Sequence, residues 1–568
     1  MADDRRDMRG KPVSGERRMN GGKPVSGEHR GNGGKPASGE RRMNGGKPVS
    51  GEHRMNGGKP VSGEYRGNGG KPVSGEHRGN SSKPASGEHR SNGGKPASAD
   101  RRNNSGKPAS NERRGNYGKP VPSAQRQVTP ARMAAYKALR MVTGEGAYAG
   151  LALGNVLEEA RISAADRALA TSIFYGTLER IGRLDYALCQ LMTHEPEARI
   201  RDILRMSAYQ ILYLERVPDN AVCDEAVRLT RAQGMENATG LVNGVLRNLL
   251  RRRDELAAPR REDGLERYLS IEYSLPEFAC ARLIGQYGAD MAEHILAWRE
   301  GDGVNVRMNP LRTDEARFER MLSERGLEFE RLHVPGAYRV RGMGAVDRLD
   351  MYRQGLFTVQ GESSLMCARA LAPKPGMRVL DACAAPGGKS TALAELMQGA
   401  GRVYACDIHA HRVELIRASA RRLGLDNVRP MQQDASRFNS EWENSMDAVL
   451  CDVPCSGLGV MASKPDIKLS LKEDELDALP DVQLSILENC ARYVKKGGVL
   501  IYSTCTILEA ENQAVVRKFL ARHGEFELCG LRGHIPECFH AGLDEGMLTL
   551  LGCRDNVDGF FIARMVRK

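Results

Sequence analysis

Two cysteines and one aspartate have the residue types and spacing for covalent chemistry. Cys455 lies in the segment DVPCSG, which begins at Asp452, and Cys505 lies in YSTCT, where an apolar run ends. Alkylation of a pyrimidine at C5 needs a thiolate and a nearby carboxylate, because C5 of cytosine is nucleophilic only after a thiolate adds at C6. Most cysteines are instead inert core residues, which we expect for three others: Cys383, Cys406 and Cys451.

A turn with the sequence DACAAPGGKST, at 381–391, is a candidate ligand site. It follows an apolar run at 377–380, typical of a short buried strand, and precedes helical spacing at 392–396. A strand, a turn of small residues and a helix N-terminus allow backbone N–H groups to meet a ligand. A phosphate loop would need glycine where Cys383 stands, and the dinucleotide pattern G-x-G-x-x-G is absent. The turn therefore favours a ligand that is neither a triphosphate nor a dinucleotide.

Two further aspartates follow predicted strands. Asp407 lies 26 residues after Asp381, where an acidic residue can accept both hydrogen bonds of a ribose diol. Since no phosphate loop lies beside it, a nucleoside cofactor without a pyrophosphate is implied, and S-adenosylmethionine fits. Asp434 follows the next strand and is expected near the adenine. The alternative for each residue is a surface carboxylate.

All these candidates stand at strand ends in a region where strands and helices alternate. Strands are predicted at 377–380, 402–408, 428–433, 447–451 and 499–503, and helices at 392–396, 409–423 and 484–494. Repeated β-α units predict an α/β domain, with a parallel sheet covered by helices on both faces. Ligands bind such sheets outside the carboxyl ends of the strands, so we expect one site there, in a domain at 376–568.

Two regions precede this domain. Residues 127–260 predict an all-α bundle, with amphipathic runs at 131–143, 149–160, 164–192, 199–214, 221–231 and 239–252. Residues 261–375 predict a small α/β module, with a helical stretch at 268–299 and a strand at 304–310. Near the end of the bundle, four arginines are either phosphate contacts or a solvated helix face: Arg247, Arg251, Arg252 and Arg253.

Residues 11–122 repeat with a period of twelve, close to KPVSGEHRGNGG, and residues 1–126 contain no Leu, Ile, Phe or Trp. Such a segment cannot bury enough apolar surface to offset the entropy of ordering, so we predict a disordered tail. It holds 27 Lys and Arg against 12 Asp and Glu, a net charge of +15, which leaves −3 for the rest of the +12 chain. The tail is either a weak nucleic-acid arm or a repeat expansion without a selected role.

The composition argues against several other classes of protein. The N-terminus has no apolar signal segment, and no apolar run reaches the roughly 18 residues of a membrane span. The 13 cysteines form no CxxC pair and no zinc-type cluster with histidine, as is typical of reduced cytosolic thiols. We therefore expect a soluble, cytoplasmic protein without a metal site. We also expect a monomer.

The segments DACAAPGGKST, DVPCSGLGV with KPDIK, and YSTCT resemble the RNA cytosine-C5 methyltransferases of the NOL1/NOP2/Sun family. The bundle resembles the NusB-type RNA-binding domain. The order of the three regions, over about 127–568, resembles the bacterial RsmB (Sun) branch, whose substrate is 16S ribosomal RNA. The resemblance implies a Rossmann-like S-adenosylmethionine-dependent methyltransferase domain. Three residues depart from the family pattern: Gly361, where an acidic residue is common, Val453 and Leu458.

The resemblance also implies catalytic roles. Cys505 would be the nucleophile that attacks C6 of cytosine, and Cys455 would help to release the methylated product. Asp452 would bind the N3/N4 edge of the base, pair with Lys389 and lie beside the cofactor. The implied reaction is C5 methylation of the branch's target cytosine in 16S ribosomal RNA through a covalent Cys–C6 adduct, at a base flipped out of its stack.

For the cofactor, the resemblance implies that Asp407 holds the ribose and Asp434 the adenine. Seven residues of the turn would cradle the methionine part: Cys383, Ala384, Ala385, Pro386, Gly387, Gly388 and Lys389.

Three alternative functions compete with this interpretation. A tRNA substrate is the main one. DNA cytosine-C5 methyltransferases, in which Cys455 would be the nucleophile, use a Glu-Asn-Val motif that is absent here. A non-catalytic RNA-binding ribosome-assembly factor is opposed by the intact Asp407, Asp452, Cys455 and Cys505.

Overall fold

The computed structural model describes residues 127–568, so the predicted disordered tail lies outside the described residues. The first part of the described chain is a helical bundle with a single apolar core. Its helices are α1 Pro130–Glu145, α2 Ala149–Ala160, α3 Ala164–Glu179, α4 Ile181–Cys189, α5 Ala198–Tyr213, α6 Asp219–Ala232 and α7 Thr239–Arg252. Helix α1 begins at Pro130, where the missing N–H costs nothing because the first helical N–H has no partner in the helix.

Three helices lead from the bundle into the middle of the chain: α8 Leu265–Tyr273, α9 Glu277–Tyr287 and α10 Ala289–Ala297. The prediction of one helical stretch at 268–299 is therefore wrong in its continuity. Pro276 and Gly288 stand at the N-caps of α9 and α10, and Gly288 has φ +79°, which ends the preceding helix. The helices share an apolar core with much later residues, including Leu458, Ile507 and Leu551.

A four-stranded antiparallel sheet follows, with the strand order β2-β3-β1-β4. Its elements are β1 Val304–Met308, α11 Glu315–Ser323, β2 Glu328–Arg331, β3 Ala337–Arg341, α12 Asp350–Arg353 and β4 Phe357–Val359. Phe318 of α11 packs in a core of its own with Val306 and Phe357. A mixed α/β unit thus stands within 261–375, while those domain boundaries and a role as an RNA-binding linker stay predictions.

A nine-stranded sheet organises the C-terminal part, in the order β11-β12-β13-β9-β8-β5-β6-β7 with β10 beside β13. The strands are β5 Arg378–Asp381, β6 Arg402–Asp407, β7 Val428–Gln432, β8 Met446–Asp452, β9 Val494–Thr504, β10 Phe526–Leu528, β11 Leu543–Asp544, β12 Met547–Leu550 and β13 Phe560–Arg567. The helices are α13 Glu362–Leu371, α14 Gly388–Leu396, α15 Ala410–Leu423, α16 Ile467–Ser470, α17 Glu473–Ala491, α18 Gln513–Arg522 and α19 Gly552–Asp555.

The sheet is sandwiched between helices because successive strand residues point to opposite faces. In β9, Ile501 packs in the core formed with α13, α14 and α15, whereas its neighbours Leu500 and Tyr502 pack with α17 and α18. Strands β5 to β9 are parallel where they pair, and β13 runs antiparallel to β9. The predicted α/β domain is therefore confirmed.

The strand order reverses at β5, since β6 and β7 lie on one side of it and β8 and β9 on the other. Such a reversal leaves a crevice at the carboxyl ends of the strands, which is the usual ligand site of an open α/β sheet. Within 127–568, no helix combines the length and the apolar character that crossing a bilayer requires.

Candidate active site

The carboxyl ends of β8 and β9 bring the predicted catalytic residues together. Asp452 ends β8 in register with Ser503 of β9, two residues before Cys505. The loop after β8 carries Cys455 back to the same edge. Further along that loop, the backbone N–H of Gly459 donates to the carbonyl oxygen of Cys505 at 2.9 Å. Both cysteines thus lie on short segments fixed to the same two strand ends.

The Sγ atoms of Cys455 and Cys505 lie 3.4 Å apart, and both residues are partly buried. A hydrogen bond from the Cys455 thiol lowers the pKa of Cys505, although burial acts in the opposite direction. The same contact, together with burial, raises the pKa of Cys455 well above the ordinary value. Cys505 is therefore the thiol that ionises first, and Cys455 is its hydrogen-bond donor.

Asp452 is held at both carboxylate oxygens. Lys389 Nζ lies 2.7 Å from Oδ2, and the hydroxyl of Ser503 donates to Oδ1 at 2.9 Å. Burial favours the neutral amine of Lys389, but the carboxylate of Asp452 outweighs it and raises the pKa of the lysine, which stays charged. The ammonium also lies 5.0 Å from the centre of the Phe560 ring. The lysine of the turn thus contacts the expected carboxylate.

The turn between β5 and α14 requires a glycine and contains two buried polar groups. Gly387 has φ +107°, and a Cβ there would lie 3.2 Å from the Cα of Ile416, so a side chain does not fit. Asp381 is fully buried and accepts from Ser390 Oγ at 2.6 Å, while its Oδ1 atom has no partner. Burial raises the pKa of Asp381 to about 7. Burial also raises the pKa of Cys383, which makes this thiol inert.

Asp407 ends β6 at the neighbouring position along the sheet. Its Oδ1 atom accepts from the backbone N–H of His409 at 3.0 Å, and its Oδ2 atom lies 3.3 Å from Arg412. The next residue, Ile408, leaves 50% of its surface exposed. A fixed carboxylate beside an exposed aliphatic side chain matches the polar edge and flat face of a nucleoside.

Asp434 follows β7, and the backbone N–H of Gln433 donates to the carbonyl oxygen of Asp407 at 3.1 Å, which brings the two strand ends together. The Asp434 carboxylate accepts from Ser436 Oγ at 2.7 Å, and this hydrogen bond lowers its pKa. Arg437 lies 3.3 Å from its other oxygen. The glycine turn, the orphan oxygen of Asp381 and these carboxylates fit a nucleoside with an amino-acid tail.

Three residues that secure the cysteine loops were missed by the sequence analysis. Asn512 is fully buried, accepts from Thr504 Oγ1 at 2.5 Å and donates to the carbonyl oxygen of Thr506 at 3.0 Å, on either side of Cys505. Glu511 and Gln483 hold the Cys455 loop. A Glu-Asn pair shortly after YSTCT was the available signal, but Ser456, which Glu511 contacts, lies 55 residues away in the sequence.

Gly361, where the family commonly has an acidic residue, faces a carboxylate from elsewhere in the chain. A Cβ at Gly361 would lie 3.7 Å from Oδ2 of Asp558. Asp558 accepts from Ser463 at 3.2 Å, and burial raises its pKa to about 7. The other two departures, Val453 and Leu458, are buried core residues.

The four arginines near the end of the bundle lie apart from this crevice in sequence, and part of their charge is already paired. Arg252 lies 3.4 Å from Glu255, and Arg253 lies 3.8 Å from Asp219. Arg247 donates to Asn243 at 3.0 Å. A phosphate contact for Arg247, Arg251, Arg252 and Arg253 stays a prediction.

Family comparisons cover both ends of the described chain. The family model described as 16S rRNA methyltransferase RsmB/F matches residues 368–566, and that of the NusB family matches residues 129–251. The crystal structure of PH0851 superimposes with a TM-score of 0.69 at 27% identity, over 78% of this chain and 100% of that chain. The predicted succession of a NusB-like bundle and a Rossmann-like methyltransferase domain is thereby confirmed.

Curated relatives extend over most of the chain. The probable ribosomal RNA small subunit methyltransferase B of Bacillus subtilis (strain 168) is 36% identical over 449 residues, which is 78% of this chain and 99% of that protein. Ribosomal RNA small subunit methyltransferase B of Escherichia coli (strain SMS-3-5 / SECEC) is 31% identical over 74% of this chain and 95% of its own length. The chain therefore belongs to the ribosomal RNA small subunit methyltransferase B family.

Proposed function

We propose that the protein transfers a methyl group from S-adenosylmethionine to C5 of a cytosine in 16S ribosomal RNA. The observation that carries the proposal is the pair of thiols 3.4 Å apart beside the Lys389–Asp452 ion pair. The family relationship supports ribosomal RNA as the substrate, since the curated relatives bear that name. A non-catalytic assembly factor would have no need for a thiol with a lowered pKa beside a carboxylate.

Each residue of the crevice has one task in this reaction. The Cys505 thiolate forms a bond to C6 of the cytosine, and the electron pair moves towards C5. Asp452 accepts a hydrogen bond from the N4 amino group at the N3/N4 edge and so orients the base. The positive charge of Lys389 beside it supports the negative charge that develops on the ring. Once C5 carries the transferred methyl group, its proton is lost to water. The electron pair of that C–H bond re-forms the C5–C6 double bond and expels the Cys505 thiolate, which Cys455 stabilises through its S–H group.

The turn at 383–389, Asp407 and Asp434 would hold S-adenosylmethionine, which supplies an electrophilic methyl group when bound. Gly387 and Gly388 begin helix α14 at the edge of the crevice, and Asp407 offers acceptors to a ribose diol. Lys389 keeps Asp452 in place at the border between cofactor and base. We also propose that the protein is a cytoplasmic monomer.

The test uses the full-length protein, S-adenosylmethionine labelled on its methyl group, and transcripts of 16S ribosomal RNA and tRNA. We expect label in 16S ribosomal RNA, found as 5-methylcytidine by nucleoside mass spectrometry and located by bisulfite sequencing. Cys505→Ala should abolish the transfer and retain cofactor binding, whereas Cys538→Ala, which removes an exposed cysteine, should have no effect. Label on another atom, or in tRNA alone, contradicts the proposal.

A further inference from the structure

Glu511 is a buried carboxylate directly behind the Cys455 loop, with 1% of its surface exposed. Its Oε2 atom accepts from the backbone N–H of Ser456 and from Gln483 Nε2, each at 2.9 Å. Its Oε1 atom accepts from the hydroxyl of Ser456 at 2.5 Å. A carboxylate in such a place is tolerated only when donors surround it. Both carboxylate oxygens of Glu511 therefore have donors within the fold.

These hydrogen bonds hold both neighbours of Cys455. Gln483 Nε2 donates to the carbonyl oxygen of Pro454 at 3.0 Å as well as to Glu511. Pro454 is therefore bonded to Gln483 and Ser456 to Glu511, and these two buried side chains are bonded to each other. The Cys455 backbone cannot shift without leaving buried polar groups unpaired, which is costly.

The same network reaches β9 on both sides of Cys505. The single proton of the Ser456 hydroxyl goes to Glu511, so Thr506 donates its hydroxyl proton to Ser456 Oγ at 2.7 Å. Tyr502 donates its hydroxyl to the carbonyl oxygen of Glu511 at 2.5 Å. Glu511 thus links the segment that carries Cys455 to the segment that carries Cys505.

We propose that Glu511 is a positioning residue that keeps the thiol of Cys455 within hydrogen-bond distance of Cys505, and so sets how fast the covalent RNA adduct is resolved. This inference rests on the proposed function. Resolution needs the Cys455 S–H group close to the departing sulfur, whereas attack on C6 needs only the Cys505 thiolate. Misplacement by about 1 Å can slow a step on the order of 100-fold. Loss of Glu511 should therefore slow release more than attack.

Four variants of the full-length protein separate this role from a general loss of structure. Glu511→Ala removes the acceptors, and Glu511→Gln retains an amide oxygen for the Ser456 and Gln483 N–H groups. Gln483→Met breaks the other half of the network at similar side-chain length. Glu509→Gln is the matched control, because Glu509 is exposed and pairs with Arg517 at 2.8 Å.

Two readouts are needed. One is the pH midpoint of iodoacetamide alkylation at Cys505, resolved by peptide mass spectrometry, which requires no RNA. For Glu511→Ala the midpoint should rise towards that of Cys455→Ala, because the S–H donor moves away. The other is the amount of denaturation-resistant adduct with 16S ribosomal RNA, measured at a pH above the alkylation midpoints of the wild type and of Glu511→Ala. Glu511→Ala should accumulate at least about ten times the wild-type amount of adduct. Glu511→Gln and Glu509→Gln should stay near the wild-type amount.

An unchanged alkylation midpoint in Glu511→Ala, or in Gln483→Met if the alanine variant does not fold, overturns the inference whatever the enzyme methylates. The inference is also overturned if Glu511→Ala has a raised midpoint but accumulates no adduct, while Cys455→Ala does accumulate adduct on the same RNA. A raised midpoint, with no adduct even in Cys455→Ala, instead supports the positioning of Cys455 and contradicts the proposed function.

Discussion

The sulfur atoms of Cys455 and Cys505 lie 3.4 Å apart although 50 residues separate them in the chain. The contact makes the two thiols differ in acidity, because it lowers the pKa of Cys505 and raises the pKa of Cys455. One thiol is therefore suited to attack and the other to donate a hydrogen bond. Residues of the same type thus have different tasks because of where β8 and β9 place them.

The pH dependence of Cys505 reactivity should shift when its hydrogen-bond donor is removed. Only the thiolate reacts with iodoacetamide. A lowered pKa means that Cys505 is ionised at lower pH than an ordinary cysteine, so loss of the donor should move the alkylation midpoint upwards in Cys455→Ala. Cys455→Ser retains an O–H donor and should stay nearer to wild type. Equal midpoints in all three proteins would show that the sulfur contact has no electrostatic effect.

Cys455→Ala should trap the enzyme on its substrate. The variant retains the nucleophile Cys505 and the carboxylate Asp452, so the bond to C6 can form, but the departing thiolate has lost its donor. We expect an RNA–protein band that survives denaturing electrophoresis and grows with time above the alkylation midpoint. The double variant Cys455→Ala/Cys505→Ala should give no band. A band in the double variant would assign attack to another residue.

Three strand ends were predictable from the sequence because a short apolar run stops there at an aspartate. Asp381, Asp407 and Asp452 indeed end β5, β6 and β8. Helix α17 was predicted at 484–494, which is too short. The helix runs from Glu473 to Ala491 and includes Pro480. Proline lacks an N–H and usually breaks a helix interior, so a sequence pattern that contains Pro480 does not predict one continuous helix.

The contacts behind the two cysteines could not be predicted in the same way. Glu511 lies 55 residues from Ser456, and Gln483 lies 29 residues from Pro454. Neither spacing follows the period of a helix or strand, so local patterns carry no information about these pairs. The contact exists only because the parallel pairing of β8 and β9 brings the loops after both strands to one edge.

Removal of residues 1–126 should leave the fold and methyl transfer intact. The N-terminal anchor of the described chain is Thr129, whose backbone N–H and hydroxyl donate to Glu225 at 2.8 and 3.0 Å. A chain that begins at residue 127 keeps these bonds, whereas one that begins at residue 131 loses them and should unfold at lower temperature.

The chain that begins at residue 127 should bind RNA more weakly than the full chain at about 50 mM salt, and its affinity should approach that of the full chain at about 200 mM. Unfolding of the first truncation would contradict the predicted independence of the tail.

A buried ion pair joins the four-stranded sheet to helix α14. Arg307 of β1 donates to both carboxylate oxygens of Glu395 at 2.8 and 2.9 Å, to the carbonyl oxygen of Gly388 at 2.9 Å and to Thr391 Oγ1 at 3.0 Å. Both charged side chains are almost wholly inaccessible, at 4% and 3% exposure. Because Gly388 precedes Lys389, this pair also fixes the helix start that presents the lysine to Asp452.

Loss of both members of this pair should cost less than the two single losses added together. Arg307→Met leaves the carboxylate of Glu395 buried without its cation, and breaking such a pair typically costs about 3–5 kcal/mol of unfolding free energy. Arg307→Met/Glu395→Leu removes both charges, so its loss of unfolding free energy, measured by urea unfolding, should be smaller than the sum of the losses in the two single variants.

Burial already raises the pKa of Glu395, with Arg307 opposing, so without the arginine this carboxyl should be protonated over a wider pH range. The stability deficit of Arg307→Met should therefore shrink as pH falls, because a neutral carboxyl is cheaper to bury than a carboxylate. A deficit that is additive with that of Glu395→Leu and independent of pH would mean that the two side chains do not interact energetically.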